Sequence, residues 1–127
     1  MKKMKWFKAL LIAAVVFLPL TVLAAGMDPV VSTDWLQKNL TNANLVVVDL
    51  RKVEDYQAGH IPGSVNVFYG SWAIKAGTLL NELPAADDLA DVIGGAGIDK
   101  NSQVVLVGKT EKVPEQFDMT RVAWTLK

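Results

Sequence analysis

A run of five residues, Leu45–Asp49, constrains the fold more than any other part of the sequence. It holds three consecutive valines, and no polar residue appears before Asp49. Because β-branched residues favour strands and no polar side chain alternates with them, the run is typical of a strand buried on both faces. Such strands belong to parallel sheets that helices cover. The sequence therefore predicts an α/β fold, a parallel sheet with helices on both faces.

The residues after this strand predict a helix, a tight turn and a second strand. Val53–Ala58 is compatible with one or two helical turns, and Gly59 follows where a helix often ends in positive φ. Ile61–Gly63 contains Pro-Gly, which is typical of a turn. Ser64–Phe68 is predicted to be the next strand.

The rest of the chain repeats this alternation. Pro84–Ile93 predicts a helix, and Gln103–Gly108 predicts another buried strand. A final amphipathic helix is indicated by apolar residues at i, i+3, i+4 and i+7, namely Met119, Val122, Ala123 and Leu126. Near the start, Ser32 or Thr33 is expected to cap a helix whose Trp35 lies in the core. Tyr69–Gly77 is expected to be an irregular surface segment.

The first 25 residues have the three-part pattern of a secretory signal peptide. Four lysines lie within the first eight residues, an apolar run covers Ala9–Leu23, and small residues follow at Ala24 and Ala25. The alternative is an uncleaved membrane tether, but the run is short for a span of about 20 residues. We expect residues 1–25 to be removed, which leaves a periplasmic or secreted domain over residues 26–127 with no membrane attachment.

Composition excludes several functions. The chain has no cysteine, which rules out disulfides, thiolate metal sites and a cysteine nucleophile. Without its first eight residues, nine basic side chains face thirteen acidic ones, a net charge of −4. An acidic domain of this kind gives no electrostatic footprint for nucleic acid. His60 is the only histidine and has no second ligand in sequence reach, so neither a metal nor another cofactor is expected.

A family resemblance lies in the order and spacing of residues 49–66. Asp49-Leu50-Arg51, then Tyr56, then Gly59–Asn66 resemble the signature of rhodanese-type sulfurtransferase domains. Val31–Leu36 resembles the opening of the first, non-catalytic domain of two-domain thiosulfate and mercaptopyruvate sulfurtransferases. The resemblance extends from about Asp28 to Lys127. It implies mostly structural roles for Asp49, Arg51, Tyr56, Gly59, His60, Pro62 and Gly63.

The chain departs from this family at the catalytic loop. Family members carry a cysteine after the strand that corresponds to Gln103–Val107, and Gly108 stands at about that position. The cysteine thiolate takes sulfur from a donor as a persulfide, and an acceptor then removes it. Lys109 and Lys112 are candidate contacts for an anion there, although lysines beside Glu111 are more often part of a solvated loop. Catalytic residues are therefore absent.

A second departure is the end of the sequence. The resemblance implies a further strand beside Val104–Val107 and a final helix, and neither pattern appears before Lys127. We therefore expect the sequence to be a fragment, with the last strand and helix of the domain missing.

Two site residues have alternative interpretations. Asp49 and Arg51 lie at the carboxyl end of a predicted parallel strand, where α/β sites usually lie. The resemblance implies instead a structural role through ion pairs and backbone hydrogen bonds, and this is the interpretation we favour. We expect His60 to hydrogen-bond the turn around Pro62.

Three functions remain open from the sequence. The first is the non-catalytic half of an exported sulfurtransferase that packs against a cysteine-bearing second rhodanese domain, with a small sulfur-containing substrate at the interface. The second is a rhodanese-fold binding or regulatory module. The third is an exported α/β domain whose resemblance does not determine activity. The sequence downstream of Lys127 discriminates between them.

Overall fold

The computed structural model describes residues 29–127, so the predicted signal peptide lies outside the described residues. Contacts divide the chain at Val31, and Ser32–Lys127 forms the compact unit considered below. Within the part described, no helix is both long and apolar enough to cross a membrane.

Four helices, five strands and one 3₁₀ turn make up this unit. In chain order they are α1 (Thr33–Asn39), β1 (Leu45–Asp49), α2 (Val53–Ala58), β2 (Val65–Asn66), the 3₁₀ turn (Tyr69–Ser71), β3 (Ile74–Ala76), β4 (Leu79–Glu82), α3 (Ala86–Gly95), β5 (Gln103–Val107) and α4 (Val113–Thr125). Ser32 caps α1 as predicted, because its hydroxyl accepts from the Trp35 backbone N–H at 3.1 Å.

The valine-rich strand β1 is the centre of a parallel sheet of order β2-β1-β5. Val48 pairs with Val65 on one side and with Leu106 on the other. Val47, Val48 and Asp49 are all buried. The prediction of a parallel sheet flanked by helices is confirmed. β2 is shorter than the predicted strand Ser64–Phe68, because beyond Asn66 only single backbone bonds, such as Val67 N–H to the Asp49 carbonyl, continue the pairing.

Two helices pack on the core around β1. The core cluster consists of Val48, Leu50, Trp72 and Val122. α3 contacts it through the predicted residues Leu89, Val92 and Ile93. α4 contributes Val122, Met119 and Leu126, whereas Ala123 is exposed, so the apolar stripe of α4 is narrower than predicted.

The segment Tyr69–Gly77 is more ordered than the sequence predicted. Its first part is the 3₁₀ turn, and β3 then pairs with β4 in an antiparallel hairpin. Trp72 lies between the 3₁₀ turn and β3 and is only 1% exposed. Its indole N–H donates to the Val67 carbonyl at 3.3 Å. Trp35, the tryptophan predicted for the core, is half-buried. The segment is therefore not irregular, because a buried aromatic anchors it, although most of its residues lie at the surface as predicted.

Candidate functional site

An ion pair closes the carboxyl end of β1. Asp49 is 1% exposed, and its carboxylate accepts four hydrogen bonds from Arg51. The backbone N–H of Arg51 donates to Oδ1 at 3.0 Å, and Nη2 donates to Oδ2 at 2.6 Å. This bonding raises the pKa of Arg51 above its ordinary value. A buried carboxylate needs such compensation, so the geometry fits a structural ion pair.

The two residues of this ion pair also form hydrogen bonds with the segments around them. Arg51 Nη2 also donates to the carbonyl of Gly59 at 2.8 Å, just after α2. Asn66 in β2 donates to the carbonyls of both Asp49 and Arg51, at 3.0 and 2.9 Å. Asn66 was part of the signature but had been given no role. Its amide suits this position because one NH₂ group can serve two carbonyls.

Tyr56 and His60 stack on each other beside this junction. Their ring centroids lie 3.9 Å apart with an interplanar angle of 16°. The Tyr56 hydroxyl donates to the Ser64 carbonyl at 2.6 Å, and His60 Nδ1 lies 2.9 Å from the Tyr56 carbonyl. A carbonyl can only accept, so Nδ1 carries the proton in this bond. The expectation that His60 bonds the turn around Pro62 was wrong, because stacking turns the ring toward α2.

The turn itself forms as predicted. The Ser64 N–H donates to the Ile61 carbonyl at 3.0 Å, with Pro62 and Gly63 between them. Gly63 has φ of 78°, the left-handed conformation that a type II turn needs at its third position. Gly59 differs from expectation, because its φ of 167° is extended backbone and not a left-handed helix end. Its conformation does not itself require glycine.

Gly108 follows β5 directly, next to the end of β1. A Cβ atom built on Gly108 would lie 2.8 Å from both Cγ and Sδ of Met119 in α4. Contacts this short do not occur between real atoms, so any side chain at residue 108 would require the flexible side chain of Met119 to shift. The sequence carried no signal for this contact, since the two residues are eleven apart and belong to different elements.

The predicted anion contacts, Lys109 and Lys112, line one cleft of about 480 Å³ together with Arg51 and Gly108. Lys109 Nζ lies 3.1 Å from Asp55 Oδ2, and this hydrogen bond raises the pKa of Lys109. The backbone N–H of Lys112 donates to Glu115 at the start of α4. The structure thus brings both lysines to Gly108, but with acidic neighbours around them.

Further acidic and phenolic groups complete this cleft. Asp118 and Tyr69 also line it. Burial, and then the charge of Glu115, raise the pKa of Asp118, while burial and the charge of Asp118 raise the pKa of Tyr69. Within residues 29–127 no cluster of histidine and acidic side chains has the arrangement needed to hold a metal ion. The cleft offers cationic side chains in a concave surface, but no thiol nucleophile.

Comparison with known proteins identifies the family. The model of the rhodanese-like domain matches residues 32–125. The chain belongs to the rhodanese-like domain family. Thiosulfate/3-mercaptopyruvate sulfurtransferase 2 of Arabidopsis thaliana is 32% identical over an alignment of 88 residues that covers 62% of this chain and 26% of that relative. The mitochondrial thiosulfate/3-mercaptopyruvate sulfurtransferase 1 of the same plant is 28% identical, over 79% of this chain and 28% of that relative.

A bacterial relative gives the same result. The putative thiosulfate sulfurtransferase of Synechococcus elongatus is 29% identical over 110 residues, which are 86% of this chain and 33% of that relative. The chain therefore spans a third or less of the length of these curated relatives. It is a rhodanese-like domain related to sulfurtransferases, and it has no cysteine.

The first testable prediction concerns the Asp49–Arg51 ion pair. Asp49→Asn keeps the shape of the side chain but turns an NH₂ donor or a neutral oxygen toward the guanidinium. We expect a loss of about 1.5–3 kcal/mol in the free energy of unfolding, because the hydrogen bonds from Arg51 lose their charged acceptor. Urea unfolding followed by circular dichroism measures it. Asp55→Asn, which removes the exposed pair with Lys109, is the control and should change stability little. Equal losses in both variants would contradict the structural role of Asp49.

The second prediction concerns the space beside Gly108. Gly108→Cys should lower the free energy of unfolding by about 1 kcal/mol, because the Met119 side chain must move away from the new Cβ. In a Met119→Ala background the same substitution should cost less, since the overlap is gone. Gly95→Cys is the matched control, because a Cβ at Gly95 meets nothing within 4 Å. If Gly108→Cys lowers the free energy of unfolding by the same amount with and without the Met119 side chain, then Met119 does not restrict the space beside residue 108.

Proposed function

We propose that this chain is the N-terminal, non-catalytic part of an exported sulfurtransferase. The whole protein would transfer sulfane sulfur from thiosulfate or mercaptopyruvate to a thiophilic acceptor. A cysteine in a second rhodanese domain, C-terminal to Lys127, would carry the chemistry. The observation that carries the proposal is a rhodanese-like domain, matched over residues 32–125, in a chain without cysteine.

The chemistry explains why the cysteine matters. With thiosulfate, a thiolate attacks the outer sulfur, the sulfur–sulfur bond of the donor breaks, and sulfite leaves with the electron pair. The enzyme is left as a persulfide, whose outer sulfur passes to the acceptor nucleophile while the thiolate is regenerated. Glycine cannot form the persulfide, and Met119 fills the space beside Gly108.

The role proposed for this domain is to form one wall of the substrate cleft. Arg51, Lys109 and Lys112 line the cleft at Gly108, and their cationic groups suit an anionic sulfur compound. The length of the relatives supports a second domain, since this chain spans only 26–33% of each. The remaining strand and helix of this domain would also follow Lys127.

Export is part of the proposal. Its support is the basic start, the apolar run Ala9–Leu23 and the small residues Ala24 and Ala25. Cleavage there would release the protein into the periplasm or the medium. An uncleaved leader would instead tether it to the membrane.

A third prediction tests whether catalysis requires the second domain. The purified chain should form no thiocyanate from thiosulfate and cyanide above the uncatalysed rate, because no residue can supply the thiolate. The full-length protein encoded at the same locus should be active and should lose activity when the cysteine of its second domain is changed to serine. Repeated turnover by the 127-residue chain, with contaminating enzyme excluded, would refute the proposal. A stop codon after Lys127 would instead favour the binding-module alternative.

The fourth prediction concerns the leader. Mass spectrometry of the protein from its native host should find an N-terminus near Ala25 or Gly26, in the periplasmic or secreted fraction. Leu23→Arg should block processing, since a charge next to the cleavage point disrupts the apolar region. Intact Met1–Leu23 on soluble cytosolic protein would rule export out, and intact Met1–Leu23 in the membrane fraction would favour a tether.

A further inference from the structure

Two cations of the cleft at Gly108 are held by carboxylates, and the two ion pairs differ in burial. The side chain of Asp49 is 1% exposed, and it accepts hydrogen bonds from both the backbone and the guanidinium of Arg51. Asp55 Oδ2 lies 3.1 Å from Lys109 Nζ, and these side chains are 36% and 38% exposed. Breaking a buried pair is strongly destabilising, whereas an exposed pair contributes little. Of the two, the exposed pair is therefore the one that readily exchanges partners.

The exposed pair joins two segments that line the cleft. Asp55 belongs to the first turn of α2, and Lys109 follows Gly108 directly after β5. Both side chains line the cleft of about 480 Å³. The carboxylate of Asp55 thus makes the contact with Lys109 Nζ that an oxygen of a bound anion would make.

Asp55 and a bound anion compete for Lys109. An ammonium group has three donors, so geometry alone leaves room for a second acceptor. The negative charge of Asp55 nevertheless repels another anion at the same cation, since like charges side by side are disfavoured. An anion therefore gains the full attraction of Lys109 only when Asp55 moves away.

Other cations of the cleft are not paired in this way. Lys52 and Lys112 also line it, and neither forms an ion pair with any of residues 29–127. Cationic side chains that line a cleft raise the local concentration of anions. Anions are thus attracted to the cleft while the contact with Lys109 is withheld.

We propose that the Asp55–Lys109 pair is an autoinhibitory contact. The carboxylate of Asp55 occupies Lys109 and lowers the affinity of the cleft for anions until a bound anion displaces it. The proposal rests on the proposed function, which assigns an anionic sulfur compound to this cleft. Sulfite, which leaves when thiosulfate gives up its outer sulfur, is also an anion. A cleft that Asp55 keeps weak therefore releases such a product readily.

Anion titration of the purified chain tests the proposal. The probe is sodium thiosulfate at constant ionic strength, and binding is followed through the backbone amide NMR shifts of Gly108 and Lys109. Asp55→Asn should lower the Kd for thiosulfate by about two- to fivefold, the range that an exposed ion pair supplies. The reason is that Lys109 then has no carboxylate to exchange.

Glu54→Gln is the matched control for the change in net charge. Glu54 precedes Asp55 in α2, is exposed and does not line the cleft. Glu54→Gln therefore removes one negative charge without touching Lys109, and it should lower the Kd less than Asp55→Asn does.

A double-mutant cycle isolates the competition for Lys109. Lys109→Gln should weaken thiosulfate binding, since it removes the cation for which Asp55 competes. In the Lys109→Gln background, Asp55→Asn should lose most of its effect and approach that of Glu54→Gln, because no ammonium group is left to release. A purely structural role of Asp55 would not produce this dependence on Lys109.

The outcomes separate this proposal from the proposed function. Equal affinities of the unmodified chain and Asp55→Asn overturn the proposal, as do equal gains from Asp55→Asn and Glu54→Gln, a gain that persists without Lys109, or no saturable binding. None of these results concerns sulfur transfer by the full-length protein, on which the proposed function depends. A full-length protein that transfers no sulfur overturns the proposed function but leaves the competition for Lys109 measurable. A gain in affinity that requires Lys109 supports the autoinhibitory contact.

Discussion

The arrangement of the site depends on burying the carboxylate of Asp49. A buried charge is costly unless it is paired and hydrogen-bonded, and Arg51 satisfies it through both its backbone and its guanidinium. Pairing at i and i+2 forces the chain to turn directly after β1. The guanidinium then reaches Gly59 after α2, while Asn66 fixes β2 against the same residues. The guanidinium of the ion pair therefore holds the end of α2, the backbone carbonyls of the same two residues hold β2, and Arg51 also lines the cleft beside Gly108.

Local sequence was sufficient for the elements that bury continuous apolar runs. β1 and β5 each show an unbroken valine-rich run, and the helical spacing in α3 and α4 identified most of the side chains that pack on the core. The hairpin was not predicted, because its strands are only three and four residues long, too short to show a clear alternation of apolar and polar residues. The burial of Trp72 and the partial exposure of Trp35 were not predicted either. Burial of a single aromatic side chain depends on tertiary contacts and not on its neighbours in sequence.

The parts of the site that were predicted correctly involve residues that are close together in the sequence. Asp49 and Arg51 are two residues apart at a strand end, and the family resemblance implied that they have a structural role through ion pairs. His60 and Gly59 were interpreted wrongly in detail, because the stacking of His60 on Tyr56 and the extended backbone at Gly59 depend on how α2 ends. The contact of Met119 with Gly108 depends on the approach of α4 to β5, which no pattern within either segment encodes.

Close packing at Gly108 also limits what this domain can contribute to sulfur chemistry. Glycine lets the Met119 side chain approach the backbone after β5, so a reactive side chain at residue 108 would require Met119 to move. Two of the nearby cations, Arg51 and Lys109, already contact carboxylates, which weakens the attraction that they exert on an anionic substrate. Glu115 and Asp118 line the same cleft and oppose an anion directly. The domain is therefore better suited to supply one wall of a cleft than to bind a sulfur donor tightly by itself.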